Sequence, residues 1–340
     1  MSKTAIVILN WNGSALLKKF LPSVLAAMDA GEAEVYVADN ASTDDSCQML
    51  AQDFPGVHLI KLAQNWGFAE GYNKALAQVE AEYVVLLNSD VEVTKGWLKP
   101  LTGCLDRHPE VAACQPKIRS YHAREFFEYA GASGGFIDYY GYPFCRGRIF
   151  SSLETDEGQY DTEMPVFWAT GAALCIRLDE YRKAGGLDGR FFAHMEEIDL
   201  CWRLRSRGKK ILCVPASVVY HVGGGTLKKE NPRKTYLNFR NNLLMLYKNL
   251  PDGELQKVMR GRFWLDLLAL LMFMLKGDFP NAKAVIKARR DFGRMKAEFK
   301  ASRQENMQQT IVKAIPQRLD CCLVWQYYVR GKHFFSDFFE

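Results

Sequence analysis

Cysteine pairs spaced as Cys-x-x-Cys are missing from the sequence, although nine cysteines are present among its 340 residues. Small zinc sites usually need such pairs, and an odd number of scattered cysteines does not suggest a disulfide framework. The adjacent residues Cys321 and Cys322 fit neither zinc spacing nor ordinary disulfide geometry. We therefore expect reduced thiols and a cytoplasmic location, with several cysteines buried as small apolar side chains.

Long apolar segments are also missing. The run at residues 4–9 is too short for a signal peptide and is interrupted by Asn10. Residues 263–275 contain one charge, Asp266, and as a helix they would reach roughly 20 Å, short of the roughly 30 Å core of a bilayer. Because a basic amphipathic segment follows, we expect this tail to lie in the plane of a membrane surface, the alternative being a core helix.

Most of the chain has no large excess of either positive or negative charge. Residues 1–250 contain 28 Lys/Arg and 29 Asp/Glu, whereas residues 251–340 contain 16 and 10. The basic tail favours an anionic surface such as the inner leaflet of the cell membrane as partner. Nucleic acid is not expected as a partner, because no RNA-binding signature accompanies the charge.

The first hundred residues contain alternating strand-like and helix-like patterns. Apolar or alternating runs predict strands at 4–9, 34–39, 57–62 and 83–87, with helices at 14–28 and 68–79 and another that begins near Ser42 or Thr43. Later patterns predict a helix at 97–107, a strand pair at 165–177 around Thr170-Gly171, a helix from Glu196 to Gly208, and strands near 210–214 and 217–221. We therefore predict an α/β protein with a doubly wound, mostly parallel sheet and a C-terminal helical extension.

Polar residues follow each of the first four predicted strands. In sheets of this kind, ligands bind beyond the carboxyl ends of the strands. Turn formation would explain any single one of these polar clusters, but four clusters at one edge favour a ligand site. The candidate residues at these ends are Asn10, Trp11, Asp39, Asn40, Asn65, Gly67, Asn88, Ser89 and Asp90.

Two of these residue types suit a nucleotide and a cation. Asp90, in the sequence N-S-D, is a rigidly held carboxylate of the kind that grips Mg²⁺ or Mn²⁺ while the cation grips a diphosphate. Asp39 is placed to bind a base or ribose, with Asn10 and Trp11 forming one wall. His221, followed by glycines in Y-H-V-G-G-G-T, is a candidate metal ligand beside a close backbone approach.

Three acids begin the predicted helix at 196–208. Glu196, Glu197 and Asp199 would be stabilised there by the helix dipole alone, so a purely structural role is the simplest explanation. Carboxylates held close together also raise one another's pKa, which suits a general base. Gly171, in the predicted turn at 170–171, is a further candidate on the acceptor side.

The motifs together resemble family 2 glycosyltransferases of the GT-A fold, and most closely the rhamnosyltransferase-like enzymes. The resemblance covers roughly residues 3–250 and implies a GT-A domain at 1–250. The tail lies outside it, and from its own pattern we expect a helical, basic and amphipathic region at 251–340 that associates with a membrane or forms a dimer. The resemblance rests on six motifs in order: V-I-L-N-W-N, A-D-N-A-S-T-D, N-W-G-F-A-E-G-Y-N, L-L-N-S-D, M-E-E-I-D-L-C-W-R and H-V-G-G-G-T.

The resemblance implies a role for individual residues. Asp39 would bind the nucleotide, Asp90 would be the metal-binding acid of the D-x-D motif, Glu197 would be the catalytic base, and His221 would join the metal or diphosphate. Residues 65–73, which end at Asn73, would form the loop near the nucleotide. Two positions depart from the family pattern: Asn88 replaces the first acid of D-x-D, and the base is Glu rather than Asp.

The function implied is inverting transfer of a sugar from a UDP- or dTDP-sugar, with dTDP-rhamnose among the candidates, to a hydroxyl of a growing cell-surface glycan or a lipid-linked acceptor. A divalent cation, Mg²⁺ or Mn²⁺, would be the cofactor. The alternative from another class is a non-catalytic protein that binds nucleotide sugars or glycans through a decayed site, which Asn88 favours. A nucleotide-dependent oxidoreductase is disfavoured, because the first strand is not followed by G-x-G-x-x-G.

Overall fold

The structure is a computed structural model that describes residues 3–223 and 231–339. Its strands are β1 (Thr4–Asn10), β2 (Glu34–Asp39), β3 (His58–Lys61), β4 (Tyr83–Asn88), β5 (Val91–Val93), β6 (Val111–Ser120), β7 (Gly135–Asp138), β8 (Pro143–Cys145), β9 (Arg148–Ile149), β10 (Ser152–Leu153), β11 (Met164–Pro165), β12 (Ala173–Arg177), β13 (Lys210–His221) and β14 (Arg318–Leu319). Its α-helices are α1 (Ser14–Ala26), α2 (Ser46–Asp53), α3 (Gly67–Leu76), α4 (Leu98–Arg107), α5 (Leu178–Lys183), α6 (Glu196–Ser206), α7 (Pro232–Asn249), α8 (Asp252–Leu275), α9 (Phe279–Met295), α10 (Lys300–Gln309) and α11 (Leu323–Tyr328).

The central sheet has the strand order β11-β13-β6-β12-β4-β1-β2-β3, with β5 paired to β13. Strands β1 to β4 are parallel to one another, and β12 enters antiparallel between β4 and β6. The apolar runs of β1 and β4 are buried because helices cover both faces of the sheet. The α/β prediction is confirmed, and so is the helical C-terminal region.

The register of the sheet brings polar strand ends together. Asn10 on β1 is the partner of Asp39 on β2, and Leu9 is the partner of Asn88 on β4. Three of the predicted site residues therefore lie side by side at one edge, because parallel strands that start together also end together.

Three local predictions were wrong. Residues 165–177 do not form a strand pair: β11 pairs with β13, and β12 lies between β4 and β6, so the turn at 170–171 instead crosses the edge of the sheet. The strands predicted at 210–214 and 217–221 form one strand, with a register shift between Val214 and Val218. Helix α2 begins at Ser46, because Ser42 and Thr43 are hydrogen-bonded to Asn12 instead.

The C-terminal region joins a second, smaller sheet. This sheet has the order β10-β9-β8-β7-β14, and its last strand comes from residues near the end of the chain. The long helices α7 and α8 pack on α9. None of the helices in the described ranges has both the length and the apolar character needed to cross a membrane.

Candidate active site at the carboxyl ends of the strands

Asn10 and Asp39 form a buried polar pair where β1 and β2 end. The Asn10 side chain donates hydrogen bonds of 3.1 Å to Asp39 Oδ1 and to Ser42 Oγ, and the backbone N–H of Ser42 donates to Asp39 Oδ2. A Cβ on Gly13 would lie 2.5 Å from Asn10 Oδ1 and 3.9 Å from Ser89 Oγ, so glycine lets α1 begin close against this edge. The rim of the pair is an exposed aromatic ring, Trp11.

Asn40 attaches the loop at 65–67 to the end of β2. Its side-chain N–H groups donate to Asn65 Oδ1 and to the carbonyl of Gly67, and its Oδ1 accepts from the backbone N–H of Trp66. Gly67 has a φ of +75°, and a Cβ there would lie 2.6 Å from the ring of Phe192. The loop is thus held between the strand end and the segment that precedes α6.

Asp90 and His221 are in direct contact beyond β4. His221 Nε2 lies 3.2 Å from Asp90 Oδ1, and its Nδ1 lies 3.4 Å from Glu128 Oε2. Burial disfavours the imidazolium, yet the negative charges of Glu128 and Asp90 raise the pKa of His221 to about 10. Burial likewise opposes the charge of Asp90, but its hydrogen bond to His221 outweighs this and holds the pKa of Asp90 below its ordinary value.

These side chains fit a divalent cation that also binds a diphosphate. One carboxylate, Asp90, and one imidazole, His221, are available, and the Asn88 amide lies 3.5 Å from His221 Nε2. No group of three or more His, Cys, Asp or Glu side chains suited to a metal ion occurs in the ranges that the structure describes. Mg²⁺ and Mn²⁺ often have few protein ligands where phosphate oxygens complete their coordination. Residues 224–226 of the histidine motif lie outside the described residues.

Glu197 lies at the start of α6, across a turn from the strand ends. The backbone N–H of Asn88 donates to the carbonyl of Ala172, which joins the end of β4 to this turn. A Cβ on Gly171 would lie 3.1 Å from the ring of Phe68 and 3.9 Å from Glu197 Cβ. Gly171 therefore sets a close approach between the sheet edge and Glu197.

Glu196 and Glu197 differ in their burial. Glu196 is buried and Glu197 is partly exposed, and the Oε2 atom of each has no hydrogen-bond partner among the described residues. Burial raises the pKa of Glu197 to about 7. Burial and the neighbouring charge of Glu197 raise the pKa of Glu196 well above its ordinary value. The two carboxyls thus differ in exposure, and that of Glu197 titrates near physiological pH.

The segment before α6 is strained and firmly held. Phe192, His194 and Met195 all have positive φ values, of 67°, 70° and 74°. The side chain of Asn241 on α7 donates to the carbonyls of Phe191, Ala193 and His194. Strain that is retained by surrounding contacts is common next to functional groups, and here it fixes the position of the α6 start.

Two predicted residues lie away from this edge. Asn73 accepts from Tyr181 Oη and from the backbone N–H of Leu187 and donates to the Leu187 carbonyl, so its amide holds the turn after α5. Asp199 is fully buried and accepts hydrogen bonds from Arg203, Lys248 and Asn249. Its carboxylate has no room for a substrate and ties α6 to α7.

Two residues of the site were missed by sequence reasoning. Glu128 lies in a region of glycines and aromatics without a period, so nothing indicated that it would face His221. Asn241 lies in a helix for which the sequence analysis made no prediction. Only the N-F-R-N-N cluster at 238–242, unusual in the middle of a helix, could have marked it.

Comparison with known proteins shows what the chain is similar to. The model of glycosyl transferase family 2 matches residues 5–163. An N-acetylglucosaminyl-diphospho-decaprenol L-rhamnosyltransferase of Mycobacterium tuberculosis is 28% identical over 231 residues, which cover 64% of this chain and 75% of that protein.

Solved structures show the same fold. TarS 1–349 of Staphylococcus aureus, in complex with UDP-GlcNAc, is 15% identical with a TM-score of 0.57, over 90% of this chain and 89% of that chain. The mannosyltransferase PcManGT of Pyrobaculum calidifontis, in complex with GDP-Man and Mn²⁺, is 14% identical with a TM-score of 0.53, over 90% and 84%. Residues 5–163 therefore match the family 2 glycosyltransferases, and the chain, which is similar to rhamnosyltransferases, acts in glycosyl transfer.

Proposed function

We propose that this enzyme moves a sugar from a nucleoside-diphosphate donor to a hydroxyl of a lipid-linked glycan, with inversion at the anomeric carbon. The observation that carries the proposal is the position of Glu197, whose Oε2 has no partner among the described residues and which lies across the Gly171 turn from the strand ends. A single base facing a single donor site is the arrangement that one direct displacement needs.

The donor would bind at the ends of β1, β2 and β4. Asp39, already oriented by Asn10 and Ser42, would accept hydrogen bonds from the base or ribose. The exposed Trp11 ring would cover one face of the base. The similarity to a named rhamnosyltransferase makes dTDP-rhamnose the first donor to test, with UDP-sugars next.

A divalent cation would be held by Asp90 and His221. When bound, it would neutralise charge on the leaving diphosphate. His221 Nε2 is a hydrogen-bond donor to Asp90 while it is protonated, so the histidine must lose that proton to become a ligand. Structures with the same fold that contain Mn²⁺ support the choice of cation.

In the transfer step, Glu197 would remove the proton from the acceptor hydroxyl. A lone pair of the acceptor oxygen would attack the anomeric carbon from the face opposite the diphosphate. The bond between the anomeric carbon and the diphosphate oxygen would break, and the nucleoside diphosphate would leave. The strained segment at 192–195 and the hydrogen bonds that the Asn241 side chain donates to it would hold Glu197 in position. A positioned base contributes about 10²–10⁴-fold to the rate of such a step.

A membrane surface would hold the lipid-linked acceptor. Helix α8 buries its ion pair, Arg262 with Asp266, and exposes apolar side chains instead. We name the apolar face of α8 as Trp264, Leu268, Leu271 and Leu275, which recur at helical spacing and are all exposed. We accordingly assign residues 1–250 to catalysis and 251–340 to association with the inner face of the cell membrane; dimerisation through the same face is the alternative.

The base assignment is tested by the variant Glu197→Gln. We expect transfer to fall by about 10²-fold or more, because an amide cannot accept the proton, while nucleotide affinity stays unchanged. Glu196→Gln is the matched variant, one residue away and with the same change from carboxyl to amide. If Glu197→Gln keeps normal turnover and Glu196→Gln loses it, Glu196 is the base and the proposal for Glu197 is wrong.

A further inference from the structure

A cavity lies between α7 and α9, beside residues 191–195. We call these residues the catalytic segment, because they lead to Glu197. The volume of the cavity is about 630 Å³, and it is open to solvent. Four basic side chains and two aromatic rings line it: Arg233, Arg240, Lys283, Lys287, Tyr236 and Phe192. None of the described residues that line it is acidic. A cavity of this size with one sign of charge suits an anionic ligand.

Two of the four cations are available for a ligand. Arg240 is buried and donates to Asn241 Oδ1 and to the carbonyl of Phe191, and Lys287 pairs with Asp291. Arg233 lies over the Phe192 ring at 5.2 Å, and neither it nor Lys283 forms an ion pair with any acid in residues 3–223 and 231–339. Exposed basic groups that form no ion pair with the described residues are the ones that an anionic ligand would meet first.

The cavity is connected to the active site through a shared wall. Phe192 lines the cavity, and its ring and carbonyl also contact the backbone at Gly67 and Phe68 on the donor side. Arg240 and Asn241 on α7 bind the carbonyls of the segment that leads to Glu197. A molecule anchored in the cavity would therefore lie against the segment that leads to Glu197.

The outer rim of the cavity is apolar. On α9, the lining residue Lys283 is four residues after Phe279 and three before Ile286, so the three side chains are neighbours on the helix surface. Phe279 and Ile286 are both more than half exposed, and α9 packs against α8, which carries the apolar face defined above. A charged cavity that opens onto an apolar surface suits a ligand with an anionic head and a hydrocarbon tail.

We propose that this cavity binds the diphosphate of a prenyl-diphosphate-linked acceptor, with Arg233 and Lys283 on the phosphates and the prenyl chain passing over Phe279 and Ile286. The inference rests on the lipid-linked acceptor proposed above and names the site that would recognise it. Arginine and lysine together meet the several oxygens of a diphosphate, as one isolated cation would not. The donor nucleotide has its own residues at the strand ends, on the other side of Phe192.

The test is calorimetric titration of the full chain with farnesyl diphosphate, in the presence of saturating UDP or dTDP so that the donor site is filled. We expect the double variant Arg233→Gln/Lys283→Gln to weaken binding by about tenfold or more, because two charge-assisted contacts are lost. The matched control, Lys276→Gln/Arg290→Gln, removes the same charge from exposed positions outside the cavity and should bind normally. Thermal melting confirms that both variants are folded.

Three results would overturn the proposal. The first is unchanged binding of farnesyl diphosphate by the double variant. The second is inorganic diphosphate that binds as tightly as farnesyl diphosphate, which would indicate a free-anion site. The third is farnesol that binds as tightly as farnesyl diphosphate, which would remove the role of the phosphates. Nucleotide binding is measured on the same samples. If the unaltered chain does not bind the nucleotide, the proposed function is wrong. The effect of the double variant on farnesyl diphosphate binding would still decide whether the cavity binds a prenyl diphosphate.

Discussion

Glu196 and Glu197 are neighbours in the chain, but only one of them is suited to exchange a proton with a substrate. Glu196 is buried at the start of α6, and burial together with the neighbouring charge of Glu197 raises its pKa well above the ordinary value. Glu197 is partly exposed beside the Gly171 turn, with a pKa raised by burial to about 7. A base whose pKa is close to the working pH combines the correct charge with sufficient basicity.

The raised pKa of Glu197 predicts the pH dependence of the reaction. Below about pH 7 the carboxyl is protonated and cannot accept a proton, so kcat/KM should fall about tenfold for each pH unit. Above that pH the carboxylate form dominates and the rate should level off. The measurement is kcat/KM for the acceptor from pH 5 to 8.5 at saturating cation. A flat profile through pH 7 would contradict the assignment.

The sequence was sufficient to place some residues but not others. Asn10, Asp39 and Asn88 were predicted to share an edge, because a strand pattern followed by a polar residue locates a strand end. Glu128 and Arg233 could not be placed in this way. Their partners, His221 and Phe192, come from distant parts of the chain, and no local pattern records such contacts.

At the scale of elements, α6 and α7 form one buried polar unit. Asp199 on α6 accepts from Lys248 at 2.8 Å and from Asn249 at 2.7 Å, both at the end of α7. Lys248 also binds Asp188, in the loop that precedes α6. Because α7 also carries Arg240 and Asn241, this unit fixes the catalytic segment from both of its ends.

The variant Asp199→Asn should therefore affect stability. Removing one charge from a buried network leaves Lys248 and Arg203 with less compensation, and we expect a loss of about 3 kcal/mol in the free energy of unfolding. Asp179→Asn, which breaks an exposed i,i+4 pair with Lys183, is the matched control and should change it by less than about 0.5 kcal/mol. Urea unfolding followed by circular dichroism measures both. A stable Asp199→Asn protein without turnover would instead make Asp199 a catalytic residue.

Element prediction failed where a pattern fitted two structures. Residues 165–177 consist of two apolar runs on either side of Thr170-Gly171, and such a pattern looks the same in a hairpin as in two strands that do not pair with each other. Strand β14 consists of two residues, which is too short for any periodicity.

At the scale of the whole molecule, the C-terminal region both completes the fold and presents a surface. Strand β14 extends the second sheet, while α8 buries Arg262 and Asp266 and exposes the leucines of its apolar face. The sequence showed the apolar run at 263–275 and its single acid. It did not show that Asp266 would be paired inside with Arg262 and Arg289, which is a matter of packing between helices.

The outward leucines predict binding to membranes. The variant Leu268→Gln/Leu271→Gln should reduce binding to vesicles that contain anionic phospholipid by about tenfold. The reason is that less apolar surface would be transferred from water into the membrane on binding. Ile311→Gln/Val329→Gln is the matched control, since both residues are exposed and apolar but lie on other segments. Co-sedimentation measures the bound fraction. If the first variant binds normally and instead loses a dimer seen by ultracentrifugation, the face is a dimer interface.

The central claim is that Asp39, Asp90 and Glu197 face one activated sugar. The most direct measurement is a crystal structure of the Glu197→Gln variant with Mn²⁺ and the nucleotide sugar that binds most tightly in a donor screen. We predict that the nucleobase lies beside Asp39 and Trp11, that the diphosphate lies beside Asp90 and His221, and that the sugar faces position 197. A nucleotide bound elsewhere, or a sugar separated from position 197 by the Gly171 turn, would contradict it.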